Sequence, residues 1–399
     1  MVRSSKLSNC FTKLPTFLLG VTCSVLVIEA ILHAIENTPL WRVLPVVERE
    51  LGLTDPDTGY RFQTSHKVIN IRENRSIVST NSVGMRDKER SLTKPPGTLR
   101  VALMGDSFPE SLQGNLPKTF SAQAETRLNA ATADRNCSTK LYAVVNFGMS
   151  GFGPLQQLLH YKKNAQAFAP DLLMFVIGIN DFLSAELSND VSGPAYTENA
   201  NGDLEIGYAF RNLTSHRFGD SMTGQMFFWA MDYSRLARAA YLKLKVGNSV
   251  TSGGYSQLGN CRKFDKDLGT QTKLWSKYEP KPLGKRLEKF LTDIDSINTT
   301  VHNPIPISFA IYGLLVPPAH CAAAVAQREK LIESITAKLN SHQIALLDLE
   351  AGLVAIDKKR YENRAFQGFG TALERGHLNE HGHGAFASLV KKHIKLRLQ

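Results

Sequence analysis

Three apolar runs, each closed by a polar or glycine-rich turn, constrain this chain most. Leu99 to Gly105 (LRVALMG) runs into Gly105-Asp106-Ser107. Leu141 to Phe147 runs into Asn146-Phe147-Gly148-Met149-Ser150-Gly151, and Asp171 to Ile177 into Gly178-Ile179-Asn180-Asp181. Runs this short and this continuously apolar are strands buried on both faces. Helical stretches follow at Lys118 to Ala130 and Pro154 to Ala167. Further strands are predicted at Ile305 to Leu314 and Ile344 to Leu347, and helices at Leu287 to Ile297, Ala322 to Leu339 and Gly384 to Leu396. Short strands alternating with such helices specify an α/β fold, a three-layer α/β/α sandwich on a mainly parallel sheet. Chemistry in such sheets sits at the carboxyl ends of the strands.

The chain before this alternation divides in three. Residues 1–13 form a short tail with Arg3, Lys6 and Lys13. Leu14 to Ile35 is a mostly apolar stretch of 22 residues. At a rise of about 1.5 Å per residue it can cross a hydrocarbon core of about 30 Å. The basic flank predicts that the tail stays in the cytoplasm and the remainder is exported. No small-x-small cleavage site follows, so the stretch is read as an uncleaved transmembrane signal anchor. Glu29 and His33 lie near its outer end, within reach of the interface, and no function is read into them. Residues 36–98 are a polar lead-in with turn signals at Asp55-Pro56-Asp57, Thr58-Gly59 and Lys94-Pro95-Pro96-Gly97. Residues 99–399 carry the strand–helix alternation, interrupted at about 183–283. That insertion, read as a cap, holds the apolar-rich stretch Met226 to Leu244, with Phe227, Phe228, Trp229 and Tyr241 expected in its core.

Composition closes off several classes. With 43% hydrophobic and 21% charged residues the chain is not mainly disordered, and 29 Gly with 17 Pro exclude a collagen-like one. Lys plus Arg exceed Asp plus Glu by 47 to 36, a net +11 that favours acidic partners. No basic block with interleaved aromatics appears outside the termini, so no nucleic-acid partner is expected. Cys10, Cys23, Cys137, Cys261 and Cys321 show no CxxC spacing, and no metal site is expected. At most one disulfide among Cys137, Cys261 and Cys321 is conceivable.

The turns at the strand ends, together with Glu374-Arg375-Gly376-His377 before the last helix, supply a hydroxyl, amide donors, a carboxylate and an imidazole. Acyl transfer uses that set. A serine hydroxyl is a poor nucleophile until an imidazole takes its proton, and a carboxylate must hold the imidazole in the correct tautomer. The tetrahedral oxyanion needs fixed donors, each typically worth about 3–4 kcal/mol.

These blocks resemble the SGNH hydrolases, also called the GDSL esterase/lipase family, from about Leu99 to the C-terminus apart from the insertion. Gly105-Asp106-Ser107 matches the first block, with Phe108 where the name-giving Leu would stand. Asn146 to Gly151 matches the second, Gly178-x-Asn180-Asp181 the third, and Glu374 to His377 the last. The resemblance implies a flavodoxin-like sheet, Ser107 as nucleophile and His377 as general base. It implies oxyanion donors at the Ser107 and Gly151 backbone N–H groups and the Asn180 side chain, with Gly148 the alternative glycine. The family has Asp three residues before this histidine, and here that position is Glu374, the expected third member. His381 and His383 are expected at the surface or the helix start. Asp55-x-x-x-Gly59-Tyr60 and Asn81-Ser82-Val83-Gly84-Met85-Arg86 also resemble the segment preceding the catalytic domain in membrane-anchored bacterial members, some of which edit acyl groups on cell-surface polysaccharides. The expectation is an exported serine esterase without cofactor. It would act on an O-acyl group, O-acetyl foremost, of a carbohydrate, with an acidic one suggested by charge complementarity alone. An O-acyltransferase, a membrane-embedded partner and a non-catalytic assembly role are the alternatives.

Overall fold

The computed structural model describes residues 5–36, 38, 52–70, 73–133, 140–184, 193–238, 269, 284–300, 304–363, 365–369 and 372–398. It begins with α1 (Ser5–Glu36) and four short strands: β1 (Gly52–Asp55), β2 (Gly59–Phe62), β3 (Lys67–Asn70) and β4 (Ser76–Ser79). Next come β5 (Thr98–Gly105), α2 (Ser107–Glu110), α3 (Phe120–Ala133), β6 (Leu141–Gly148), α4 (Pro154–His160), β7 (Leu172–Gly178) and α5 (Ile179–Ser184). The insertion holds β8 (Ala195–Glu198), β9 (Leu204–Gly207), α6 (Thr214–Asp220) and α7 (Met222–Tyr233). The chain then forms α8 (Gly284–Thr300), β10 (Ile307–Tyr312), α9 (Ala322–Ser341), β11 (Ile344–Asp348), α10 (Leu349–Ile356) and α11 (Lys358–Glu362). It ends in β12 (Gln367–Phe369), β13 (Ala372–Leu378) and α12 (Glu380–Leu398).

Five strands pair in parallel in the order β11-β10-β7-β5-β6. Counted along the chain this is the doubly wound order 2-1-3-4-5, which reverses direction at β5. Successive side chains on a strand point to opposite faces, and both faces here are apolar. Val101 and Leu103 of β5 pack with Phe120, Leu128, Leu353 and Phe386, from α3, α10 and α12. Ala102 and Met104 pack instead with Leu158, Phe290 and Leu331, from α4, α8 and α9. Burying each such Leu or Phe contributes about 1.5–3 kcal/mol, which is why the helices flank the sheet on both sides. The predicted helix from Pro154 is α-helical only to His160. It continues as a π turn, Tyr161–Ala165, and a 3-10 turn, Gln166–Phe168.

The lead-in folds as two antiparallel hairpins, β1–β2 and β3–β4. Their Phe62, Val68 and Val78 share a small core with Met149 and Phe152 from the loop after β6. The lead-in therefore packs on the strand-end edge of the sheet. In the insertion, Tyr196 donates to Asp293 of α8 at 2.7 Å, and His216 of α6 lies 3.3 Å from the Asp55 carbonyl. The aromatic residues of α7 are not its core as expected: Trp229 is 64% exposed and Phe227 37%, while Phe228 is half-buried. Only α7's Gly224–Met231 side is covered, because α6 is its neighbour there and the Phe218 carbonyl lies where a side chain on Gly224 would begin. Tyr241, Cys137 and Cys261 lie outside the described residues. Cys321 is disulfide-bonded.

Candidate active site

The first strand-end turn is shaped by two absent side chains. A Cβ on Gly105 would lie 2.3 Å from Pro109 Cγ, and one on Gly148 would lie 2.4 Å from the Glu110 backbone nitrogen. Glycine at both positions lets α2 settle directly over the ends of β5 and β6. Asp106 caps this short helix by accepting from the Phe108 N–H at 2.9 Å. Ser107 is thereby set in the first turn of α2, at the sheet's reversal point.

The lead-in fixes the other end of α2. Arg86, fully buried, donates to the carbonyls of Glu110, Ser111 and Gly114. Tyr60 donates to the Ser150 carbonyl, and Ser150 donates to the Glu110 carboxyl. Burial pushes the Glu110 carboxyl up to about 7, although its bond from Ser150 opposes this.

His377 approaches from β13. The ladder with β12 pairs Gly368 with Leu373 and Gln367 with Leu378, so residues 374–377 stand out of it. His377 Nε2 lies 2.8 Å from Ser107 Oγ. Its ring packs against Phe108, which in turn stacks on Tyr312 at 4.0 Å. Nδ1 lies 2.7 Å from Oε1 of Glu73, and the His377 backbone N–H donates to Glu73 Oε2 at 2.8 Å.

The carboxylate on the imidazole is therefore Glu73, from the turn between β3 and β4, and not Glu374. Nδ1 can make one hydrogen bond in the ring plane, and Glu73 takes it. Gly376 opens the approach: with φ +78 it lies in the left-handed region, and a Cβ there would lie 2.3 Å from Glu73 Oε2. Glu73 is itself left-handed at φ 62, a conformation that costs a non-glycine residue about 1–2 kcal/mol. Strain of this kind persists where surrounding contacts over-determine it, and the pair of hydrogen bonds with His377 is such a contact. Glu374 lies in β13, and its side chain is outside the described ones.

Electrostatics follow the geometry. Burial disfavours a charged imidazole, but the Glu73 hydrogen bond and charge, with Asp106 and Glu110 beyond, outweigh it. The His377 pKa rises above the ordinary imidazole value. Burial likewise opposes charge on Glu73, yet the bonds from His377 hold its carboxyl below the usual range. Asp181, which follows Asn180, is pushed up to about 6 by burial and by the nearby Asp106 charge.

The remaining predicted residues lie along one sheet edge. The strand ends of β6, β5 and β7 are adjacent, with Gly105 paired to both Gly148 and Val176. Gly148 donates its N–H to Asn146 Oδ1 at 3.0 Å, so that donor is already engaged. Gly151, at φ +73, has open space around it, and its N–H has no acceptor among the described residues. Asn180 stands in the first turn of α5, directly after β7, with its side chain outside the described ones. His381 is exposed at the start of α12. His383 is at the helix start but buried rather than on the surface, stacked on Phe120, and burial drives its pKa down to about 3.

Sequence reasoning missed Glu73. It is 304 residues from His377, and no spacing links them. The available signal was Gly376, a glycine beside the expected base.

A hydroxyl, an imidazole and a carboxylate stand joined in series at the reversal point of a doubly wound parallel sheet, the arrangement that activates a serine nucleophile. Residues 101–204 match the sequence model of the GDSL-like Lipase/Acylhydrolase family, and that match supports an ester-hydrolysing enzyme. No curated protein matches the sequence significantly. Among solved structures it is similar to a family 3 carbohydrate esterase of Clostridium thermocellum. That match has 13% identity and a TM-score of 0.35, and covers 75% of this chain and 98% of the other. A lipase from a goat rumen metagenome matches at 11% identity and TM-score 0.34, with 74% and 96% covered. A variant of an acetylxylan esterase from Geobacillus stearothermophilus matches at 14% identity and TM-score 0.34, with 74% and 94% covered.

Proposed function

We propose that the chain is an exported serine esterase, held in a bacterial cytoplasmic membrane by Pro15–Ile35, that removes O-acyl groups, O-acetyl foremost, from a carbohydrate through an acyl-serine intermediate. The observation that carries the chemistry is the continuous series Glu73–His377–Ser107, with bonds of 2.7 and 2.8 Å. Ser107 Oγ attacks the ester carbonyl as His377 Nε2 takes its proton, while Glu73 holds the Nδ1–H tautomer and stabilises the imidazolium. The oxyanion is received by the N–H groups of Ser107 and Gly151 and by the Asn180 amide. Collapse breaks the ester C–O bond, and the imidazolium returns its proton to the departing sugar oxygen. Water, deprotonated by His377, then releases the acid and frees Ser107.

Export is supported by the exposed apolar helix Pro15–Ile35 and by the disulfide at Cys321, since such bonds persist in oxidising compartments. The carbohydrate half rests on the lead-in motifs, whose Tyr60 and Arg86 contact the active-site loops. The test is fluorophosphonate labelling of the full chain in detergent, read by peptide mass spectrometry. An adduct on Ser107 that disappears in His377→Ala is expected, together with acetate release from an O-acetylated polysaccharide. Transfer of the acetyl group to an added sugar instead would make the enzyme a transferase. Absence of any adduct on folded protein would overturn catalysis altogether.

A further inference from the structure

A carboxylate inside an apolar membrane span needs a partner, because hydrocarbon offers it none. Glu29 has one. Its Oε2 accepts from the Leu236 N–H at 3.0 Å and from Ser234 Oγ at 3.3 Å, and its Oε1 accepts from the Arg235 N–H. These donors belong to the first turn of the helical segment 235–238, immediately after α7. Leu32 and Ile35, on the same side of α1, are partly covered as well, whereas Phe17, Leu18 and Leu19 further in are open. The insertion is thus attached to the outer part of the span.

We infer that α7 lies in the outer membrane–water interface as a second, monotopic contact with the lipid. This rests on the reading of Pro15–Ile35 as a retained anchor. Glu29 stands six residues before the end of that span at Ile35, or about 9 Å along the helix axis. The chain leaving α7 is therefore tied at a depth of about 5–10 Å, where interfacial helices sit. The exposed face of α7 carries an apolar stripe, flanked by the exposed Thr223 and Gln225. Met222, Met226, Trp229 and Tyr233, spaced by four, three and four residues, are 79%, 64%, 64% and 65% exposed. Helical spacing puts all four on one stripe. Trp and Tyr are the residues that favour this depth, with an apolar ring and a polar tip. The opposite side of α7 rests on α6, which touches the lead-in through Thr54–Asp220 and His216–Asp55. Lipid contact at α7 is continuous with the hairpins that carry Tyr60 and Glu73, and it fixes the height and tilt of the active site over the membrane.

The test uses the full chain carrying W41F and W275F, which leaves Trp229 as the sole tryptophan. It is reconstituted in phosphatidylethanolamine–phosphatidylglycerol vesicles doped with phosphatidylcholine brominated at carbons 6,7 or 11,12. The expected result is at least twofold quenching by the 6,7 lipid, less by the 11,12 lipid, and at least threefold protection from aqueous iodide. Carbonate-resistant chain whose Trp229 is open to iodide and untouched by bromolipid would overturn the inference and leave the anchor standing. Chain extracted by carbonate would remove the anchor and this inference with it. Protection from iodide in native membranes but not in pure lipid would assign the stripe to a protein and refute the lipid contact. If the double replacement fails to fold, wild-type chain in vesicles with a diazirine-bearing lipid gives the same reading, with crosslinks expected on residues 222–233 and their absence refuting.

Discussion

Glu73→Gln separates the two candidate acids. Glu73 presents two acceptor oxygens to two donors, the His377 Nδ1–H at 2.7 Å and the His377 backbone N–H at 2.8 Å. Glutamine presents one acceptor and one N–H₂ group, so one of the two donors must face another donor. The imidazole escapes by moving its proton to Nε2, and in that tautomer it cannot accept the Ser107 proton. The comparable change in serine proteases costs about 10⁴ in turnover. With part of Glu73 open to solvent, the expectation here is a loss of about 10³–10⁴ in kcat/KM, or about 4–5.5 kcal/mol of transition-state stabilisation. The pH profile supplies a reading that mere structural damage would not move. In the wild type the acid limb of kcat/KM follows His377, whose pKa Glu73 raises. Activity appears as pH rises through that raised value, and removing the carboxylate charge must shift the limb to lower pH even as the plateau falls. Hydrolysis of p-nitrophenyl acetate by the full chain in detergent, from pH 5 to 9, reads both quantities. Glu374→Gln should stay within about threefold of wild type with an unmoved limb. Near-full activity in Glu73→Gln, or a thousandfold loss in Glu374→Gln, would refute the assignment.

Three further outcomes follow from the same geometry. Gly376→Ala places a Cβ 2.3 Å from Glu73 Oε2 at φ +78, and steady-state kinetics should show a loss of about 10²–10³ in kcat/KM. Gly97→Ala, equally left-handed at φ +71 but in open space, should lower the melting temperature and leave kcat/KM within about threefold. Asn180→Ala removes a proposed oxyanion donor, so kcat should fall by about 10²–10³ with KM nearly unchanged. A fall confined to KM would make Asn180 a substrate contact instead.

Ser107 and His377 were legible because each closes a recognisable local pattern: a buried strand ending in a capped turn, and a short polar block ahead of an amphipathic helix. The parallel sheet was legible for the same reason, since continuous apolar runs of seven or eight residues admit few other fates. Local pattern fails where a contact is made between distant segments. Trp229 looked like core because it sits in an aromatic-rich stretch, and nothing in that stretch says that only one side of α7 meets a neighbour. Glu29 looked like an interfacial carboxylate because the groups that donate to it lie about 200 residues away. Glu73 is one acidic residue among several in the polar lead-in, and nothing local marks it.

The acid's origin in the lead-in changes what the catalytic unit is. Read from the sequence, residues 36–98 precede a domain that begins at Leu99 and contains every needed group. In the structure that segment delivers Glu73 to His377, holds the C-terminal end of α2 through Arg86 and the loop after β6 through Tyr60, and shares a core with Met149 and Phe152. Glu73 reaches the imidazole only while the β3–β4 hairpin is docked, and its left-handed backbone is held there by the His377 bonds it makes. Docking of the hairpin and completion of the catalytic series are therefore one event. The neighbouring hairpin β1–β2, which shares a core with β3–β4, is joined through β1 to α6 and so to α7, and whatever steadies α7 also steadies the hairpin that carries the carboxylate.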